Sequence, residues 1–225
     1  MDLLKAFDKV LWVKSPANIL NHWDNSVVRY GFDVVKPENA FSLHQVHGNT
    51  VVAAPKDRSF EPQADGIYTQ QRGKKIAIKT ADCVPILFSA PGFVMGIHAG
   101  WRGIAKGIVT EATRTLTNSK IELNNVLVGI GPHISVFRYE VGDDVIDAMK
   151  NSAAPDLDYC LIKSGPQKWH IDLGAKCAGE LIGLGIQPQN ITCSRSCTYT
   201  ETSVWPSYRR DGANAGRLWS WVELV

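Results

Sequence analysis

The stretch that decides the fold runs Lys79-Thr-Ala-Asp-Cys83-Val-Pro-Ile-Leu-Phe88, then Ser89-Ala-Pro-Gly92, then Phe93-Val-Met-Gly-Ile-His98-Ala-Gly-Trp-Arg-Gly103. Apolar runs at Val84–Phe88 and Phe93–Ile97 flank a Pro-Gly turn, which predicts a β-hairpin. Cys83 precedes the first strand and His98 follows the second, so an antiparallel pair places both at the same end of the sheet. A thiol and an imidazole brought together there are either metal ligands or a nucleophile with its base.

A glycine-flanked loop follows His98 and opens a predicted helix. The helical pattern rests on four apolar residues spaced by about 3.6 positions, Ile104, Ile108, Ala112 and Leu116. Backbone N–H groups at the start of such a helix favour an anion, and Arg102 adds a permanent positive charge. The alternative is that Gly100 and Gly103 only allow a tight turn and that Arg102 is a solvated surface residue.

Length and charge limit the class of protein. The chain has 225 residues with no internal repeat or clear linker, so we expect a single domain over residues 1–225. With 24 basic and 22 acidic residues, the net charge of +2 gives no reason to expect nucleic acid or a membrane surface as a partner. No apolar run is long enough to span a bilayer, and five irregularly spaced cysteines fit a reducing compartment, so we expect a cytoplasmic location.

The remaining elements follow from periodicity and turn signals. We predict an amphipathic helix within Ala17–Tyr30 and a surface loop over Ala153–Gly165. Asp172 is placed to cap a second helix in which Cys177 faces the core. Further predicted strands and helices are Ala40–Val46, Val51–Ala54, Val126–Ile130, Val145–Lys150, Leu173–Leu184, Ile191–Cys193 and an aromatic C-terminal strand. Hairpins mixed with a few helices indicate an α+β or irregular α/β fold.

Other polar residues are weaker candidates. His47-Gly48 places an imidazole at a turn beside a strand, whereas His44 is expected to be structural or merely solvated. Asp65-Gly66 is a turn signal, so Asp65 is expected to form a turn. Cys193 and Cys197 lack a second ligand pair at matching spacing, which does not favour a structural zinc site.

Several motifs together resemble those of one family. They are His44-Gln-Val-His47-Gly48, Ala64-Asp-Gly66, Thr80-Ala-Asp-Cys83-Val-Pro85, His98-Ala-Gly-Trp-Arg-Gly103, Gly129-Ile-Gly-Pro132, Tyr139-Glu-Val-Gly142, Tyr208-Arg-Arg-Asp-Gly212 and Gly216-Arg217. Over roughly residues 41–222 the chain resembles the YfiH family, also called laccase-domain or polyphenol oxidoreductase proteins and purine nucleoside phosphorylases. It departs from the family pattern in residues 1–40, where two expected motifs are missing, and at His133, where a small residue or cysteine often follows Gly-Pro.

The resemblance implies a layered α–β–β–α fold related to a cysteine-hydrolase-like group. It also implies a zinc site made by His47, Cys83 and His98, with an open position for water or substrate. A zinc ion there would lower the pKa of its water to about 7. Copper is the alternative metal, although six histidines are few for a multicopper site.

The activities implied by the resemblance are phosphorolysis of adenosine, inosine, guanosine and methylthioadenosine, and deamination of adenosine. The partners are then a purine nucleoside and phosphate. Cys83 and His98 belong to the catalytic centre, and Asp82 is either a proton carrier or a carboxylate that ties the loop together. Arg102, Gly100 and Gly103 are the candidate phosphate-binding residues.

Three other functions stay open at this point. A cysteine amidase acting on a peptidoglycan-precursor peptide would use Cys83 as nucleophile and His98 as base. A copper-dependent polyphenol oxidase, or laccase, is the second. A non-catalytic interaction domain is the third, and the sequence does not indicate which protein would be its partner.

Overall fold

In a computed structural model of the chain, the described residues are 3–14, 28–150 and 156–225. The helices are α1 Leu3–Phe7, α2 Trp101–Ala105, α3 Ile108–Asn118, α4 Asp143–Lys150, α5 Leu173–Gly183 and α6 Tyr208–Asp211. The strands are β1 Leu11–Val13, β2 Val28–Asp33, β3 Val51–Ala53, β4 Gly66–Thr69, β5 Lys75–Thr80, β6 Val84–Ala90, β7 Phe93–Ala99, β8 Leu127–Ile130, β9 Glu140–Gly142, β10 Leu161–Gly165, β11 Lys168–Ile171, β12 Ile191–Ser194 and β13 Leu218–Leu224.

The predicted hairpin is confirmed and lies at the centre of the largest sheet. Strands β6 and β7 are antiparallel, with Val84 opposite Ala99 and Pro85 opposite His98. Cys83 and His98 therefore lie at the same end of the hairpin. Every residue of both strands is buried, because layers cover both faces of the sheet. This burial explains why the two strands are continuous apolar runs and do not alternate with polar residues.

The large sheet has seven strands in the order β1-β12-β8-β6-β7-β4-β3, with parallel and antiparallel pairs. Helices α3 and α5 pack on one face through a shared apolar cluster that includes Ile108, Leu116, Cys177 and Leu181. Cys177 is fully buried there, as predicted. Asp172 caps α5 by accepting a hydrogen bond from the Ala175 N–H, which also confirms its predicted role.

A small sheet covers the opposite face of the large one. It has the order β2-β13-β5, and its inward residues Val28, Ile76 and Val222 pack with Leu87 and Val94 of the hairpin. The described residues thus supply a helical layer and two sheet layers of the expected order, and the α+β fold class is confirmed. A third sheet, β10-β11-β9, lies beside them.

Three predicted elements differ from the structure. The helix after the hairpin is divided into α2 and α3, because Gly107 has a φ of 86° and interrupts the helical backbone. Residues 40–46 form isolated bridges at Phe41 and His44 in place of a strand. The segment predicted as a loop ends in strand β10, which pairs with β11.

The helix predicted within Ala17–Tyr30 mostly falls outside the described residues, and its end, from Val28, belongs to strand β2. In the part of the chain that the structure describes, no helix is long and apolar enough to cross a membrane.

Candidate metal centre

Three predicted ligands meet at the open end of the hairpin. One ligand atom from each of His47, Cys83 and His98 lies within 4.8 Å of the other two. The His47 and His98 rings are edge-to-face, with centroids 4.7 Å apart. His98 is buried, Cys83 is partly exposed and His47 is exposed, so the cluster is accessible from the side of His47.

Asp65 organises this cluster, although the sequence indicated only a turn there. Its carboxylate is completely buried, and its Oδ1 lies 2.8 Å from Nδ1 of His98. The same carboxylate accepts hydrogen bonds from the backbone N–H groups of Val46, His47 and Gly48. These bonds hold His47 at a φ of 58°, which non-glycine residues adopt rarely. Asp65 therefore orients one histidine through its ring and the other through its backbone.

The charges of the cluster follow from these contacts. Burial by itself would raise the pKa of the Cys83 thiol, but hydrogen bonds with His47 and His98 outweigh it and lower that pKa to about 6. Burial would lower the pKa of His98, but hydrogen bonds with Asp65 and Cys83 raise it to about 9. Without a metal, Cys83 is then mainly a thiolate beside an imidazolium at neutral pH.

Gly100 and Gly103 leave the space that the cluster needs. A Cβ atom on Gly100 would lie 2.9 Å from Cys83 Sγ and 3.1 Å from His47 Cδ2. A Cβ atom on Gly103 would lie 2.8 Å from the carbonyl oxygen of Gly48. Two imidazoles, one thiolate and a backbone kept clear of them fit a metal ion, and a carboxylate behind one histidine is a common support for such a ligand.

Asp82, beside Cys83, makes several hydrogen bonds within the protein. One carboxylate oxygen accepts from the Thr198 hydroxyl at 2.6 Å and the other from the Arg209 N–H at 2.6 Å. Its carbonyl accepts from the Ile134 N–H. Its φ is 86°, so these bonds hold a strained backbone next to Cys83.

Two further residues that are not among the predicted site residues reach this site, Tyr139 and Arg209. The Arg209 guanidinium lies 4.9 Å from the ring centroid of Tyr139. Burial and the nearby Cys83 both raise the pKa of Tyr139, so its phenol stays protonated, while Arg209 and Arg102 act in the opposite direction. Both residues belong to motifs that carried the family resemblance, which is the signal that would have found them.

The other histidine and cysteine candidates lie apart from this cluster. His44 is exposed, and Cys193 and Cys197 are buried. Among the residues that the structure describes, His47, Cys83 and His98 are the one group of three or more that could hold a metal ion. Cys193 and Cys197 are not part of that group.

The sequence of this chain matches the model of a known protein family. The model of the family described as multi-copper polyphenol oxidoreductase laccase matches residues 17–225. The chain belongs to this family. The resemblance noted from the motifs is thereby confirmed.

Two proteins similar to the chain carry enzyme names, and a solved structure shares its fold. Purine nucleoside phosphorylase YlmD of Geobacillus stearothermophilus is 33% identical over 190 residues, which cover 79% of this chain and 69% of that protein. Adenosine deaminase RL5, from an unknown prokaryotic organism, is 35% identical over 164 residues, 70% of this chain and 61% of that protein. The crystal structure of the hypothetical protein YfiH of Bacillus licheniformis superimposes with a TM-score of 0.79 at 27% identity, covering 86% of this chain and 76% of that one.

Proposed function

We propose that this protein is a zinc-dependent purine nucleoside phosphorylase that also deaminates adenosine. The names of its relatives support the reaction class. The observation that carries the proposal is the cluster of His47, Cys83 and His98, held by Asp65 and accessible to solvent. Its substrates would be phosphate and adenosine, inosine, guanosine or methylthioadenosine.

His47, Cys83 and His98 are the residues that would hold zinc. Two imidazoles and a thiolate match the three-ligand catalytic sites that zinc favours, and they leave one position open. Zinc bound there would supply Lewis acidity and, by lowering the pKa of water to about 7, a nucleophile at neutral pH. With zinc bound, the hydrogen bond to the Asp65 carboxylate would keep the His98 proton on Nδ1, so that Nε2, on the side of Cys83, would be the nitrogen that binds the metal.

Arg102 and Arg209 are our candidates for binding phosphate. Phosphorolysis requires an anion to be held by positive charge while positive charge develops on the ribose. Both guanidiniums are near enough to the Tyr139 phenol to affect its pKa. Gly100 and Gly103 contribute space for the cluster, and we assign them no direct contact with phosphate.

We assign Asp82 a positioning role. Both of its carboxylate oxygens accept short hydrogen bonds from within the protein, from Thr198 and Arg209. Together these bonds hold the loop that carries Cys83. An aspartate bound in this way orients the adjacent thiolate, which is the second of the two roles that its sequence context allowed.

A cysteine amidase is the second candidate, and one observation favours it. Without metal, Cys83 has a pKa of about 6 and contacts His98, as a nucleophile does with its base. A thiolate that binds zinc is not free to attack an amide, so stoichiometric zinc separates the two functions. A multicopper oxidase would need further histidine clusters, and the described residues supply one such group.

The test is to incubate the purified zinc-loaded protein with adenosine, with and without phosphate, and to separate the products by chromatography. We expect phosphate-dependent adenine and phosphate-independent inosine. Both should be lost in Cys83→Ala and His47→Ala and kept in His44→Ala, a matched variant three residues away. Zinc and copper content are measured on the same samples by mass spectrometry.

The opposite results separate the alternatives. No product from a zinc-loaded protein would contradict the purine function. Stoichiometric copper with phenol oxidation would support the laccase. Cleavage of an amide by the metal-free protein, blocked by alkylation of Cys83, would support the amidase.

A further inference from the structure

A cavity lies outside the metal cluster. Its volume is about 800 Å³, within the usual range for sites that bind small molecules. The segments 133–138 and 194–201 form most of its wall, with contributions from α1, β1 and the start of α5. His47, Cys83, His98 and Arg102 are not among its lining residues. The cavity is therefore a separate candidate site.

The acidic residues of this cavity have partners within the protein. Asp172 accepts the Ala175 N–H at 2.8 Å, and its Oδ1 lies 3.9 Å from Nε2 of the buried His133. Glu201 accepts hydrogen bonds from the Ser196 hydroxyl at 2.5 Å and from the Cys197 N–H at 2.8 Å. Because both carboxylates are bound in this way, they offer little to a cationic ligand.

The basic residues of the cavity have no such partners among the residues that the structure describes. Arg138 and Arg195 are exposed, and each guanidinium lies against an aromatic ring, Tyr199 at 5.5 Å and Trp12 at 5.7 Å. Neither guanidinium makes an ion pair or a hydrogen bond with any residue in the described part of the chain. Two planar groups with free N–H donors are suited to phosphate or carboxylate oxygens.

Aromatic side chains complete the lining. Phe7, Trp12, Phe137 and Tyr159 contribute ring surface, and Phe137 is 74% exposed. Such surface favours a planar ring, which aromatic side chains bind by stacking. An inorganic anion would use the arginines and leave this apolar surface exposed to water.

We propose that this cavity binds an organic phosphate that carries a planar ring, of about the size of a nucleoside monophosphate. Arg138 and Arg195 bind the phosphate, and the exposed Phe137 contacts the ring. The site does not depend on the reaction at the metal centre, and it can be tested whether or not that reaction is the one proposed above.

Adenosine 5′-monophosphate is the probe, titrated into the zinc-loaded protein and followed by calorimetry. We expect Arg138→Gln and Arg195→Gln each to weaken its binding about tenfold, since each removes a hydrogen bond between charged groups. Arg114→Gln is the matched control, because Arg114 is an exposed arginine on α3 that pairs with Glu111. His47→Ala disables the metal cluster and should bind the probe as the unaltered protein does.

Two comparison ligands test the chemistry in the His47→Ala background, where no turnover interferes. Adenosine lacks the phosphate and ribose 5-phosphate lacks the ring, so each should bind more weakly than the probe. Loss of probe binding in His47→Ala would place it at the metal cluster and overturn the proposal. Unchanged binding in an Arg138→Gln, Arg195→Gln double variant, or ribose 5-phosphate binding as tightly as the probe, would overturn it as well.

Discussion

Two buried histidines in this protein each face an aspartate, and they differ in what remains free on the ring. His98 contacts Asp65 through Nδ1 at 2.8 Å, and its Nε2 is open toward Cys83. His133 has its Nδ1 2.8 Å from the carbonyl oxygen of Gly131, and its Nε2 lies 3.9 Å from Asp172. Both nitrogens of the second ring are therefore directed at partners within the protein.

A buried histidine beside a carboxylate does not by itself indicate a functional site. The difference lies in what the second ring nitrogen faces. At His98 it meets a thiol and a second imidazole that are accessible to solvent. At His133 it meets the carboxylate that caps α5, so we expect that pair to stabilise the helix start.

The largest difference should come from removing each histidine. His98→Ala should lose bound zinc and reduce product formation to background, because a ligand is missing. His133→Ala should keep its bound zinc and its product formation, and should lose only stability. Metal content and the adenosine assay measure the two outcomes. A zinc-free His133→Ala protein would contradict the assignment of His133 to a purely structural role.

The two aspartates should differ next. Asp65→Asn should weaken zinc binding by about 10- to 100-fold, the usual cost of removing a carboxylate that supports a metal-binding histidine. Asp172→Asn should leave zinc affinity unchanged, because Asp172 contacts no candidate ligand. A competition titration with a chromogenic chelator measures both affinities. Equal affinities in the two variants would show that the Asp65 carboxylate does not support the metal.

A third test compares Cys83 with the buried Cys193 in metal-free protein. The alkylation rate of Cys83 should rise with pH through about 6 and level off above about pH 7, because the thiolate is the reactive form. Burial raises the pKa of Cys193 well above its usual value, so its rate should stay at least about tenfold lower at pH 7. Mass spectrometry of alkylated peptides gives both rates.

Two further samples check the cause of this reactivity. In His47→Ala, the midpoint for Cys83 should move upward, because one of the hydrogen bonds that lower its pKa is lost. Added zinc should slow its alkylation. A Cys83 profile with an unshifted midpoint in His47→Ala would argue against this account of the thiolate.

The smallest difference between the two regions should come from replacing one glycine in each. Gly100→Ala places a Cβ against Cys83 and His47, and should weaken zinc binding about tenfold while changing stability little. Gly174→Ala places a Cβ 2.4 Å from Nε2 of His133, and should cost about 1–3 kcal/mol in the free energy of unfolding with zinc binding intact. Urea unfolding and the zinc titration separate the two effects. If both variants lost only stability, the two regions would not be independent.

Local pattern predicted much of the framework. The Pro-Gly turn between apolar runs gave the hairpin, Asp172 gave the helix cap, and the spacing around Cys177 gave a buried helix face. Local pattern gave the wrong element where the structure depends on a single backbone angle or on a partner distant in sequence. Gly107 interrupts a helix whose side-chain period continues through it, and residues 40–46 have strand-like residues without a continuous neighbouring strand.

By itself, the sequence determined the hairpin, the placement of Cys83 and His98 at one end of it, and membership of the family through its motifs. Only the tertiary structure decided the role of Asp65, which is 33 positions from His98 and accepts hydrogen bonds from the loop at His47. It also decided that Asp82 holds Thr198 and Arg209, over 100 positions away. The physical reason is that periodicity and turn chemistry act over a few residues, whereas a buried carboxylate takes its role from whichever distant donors the fold brings to it.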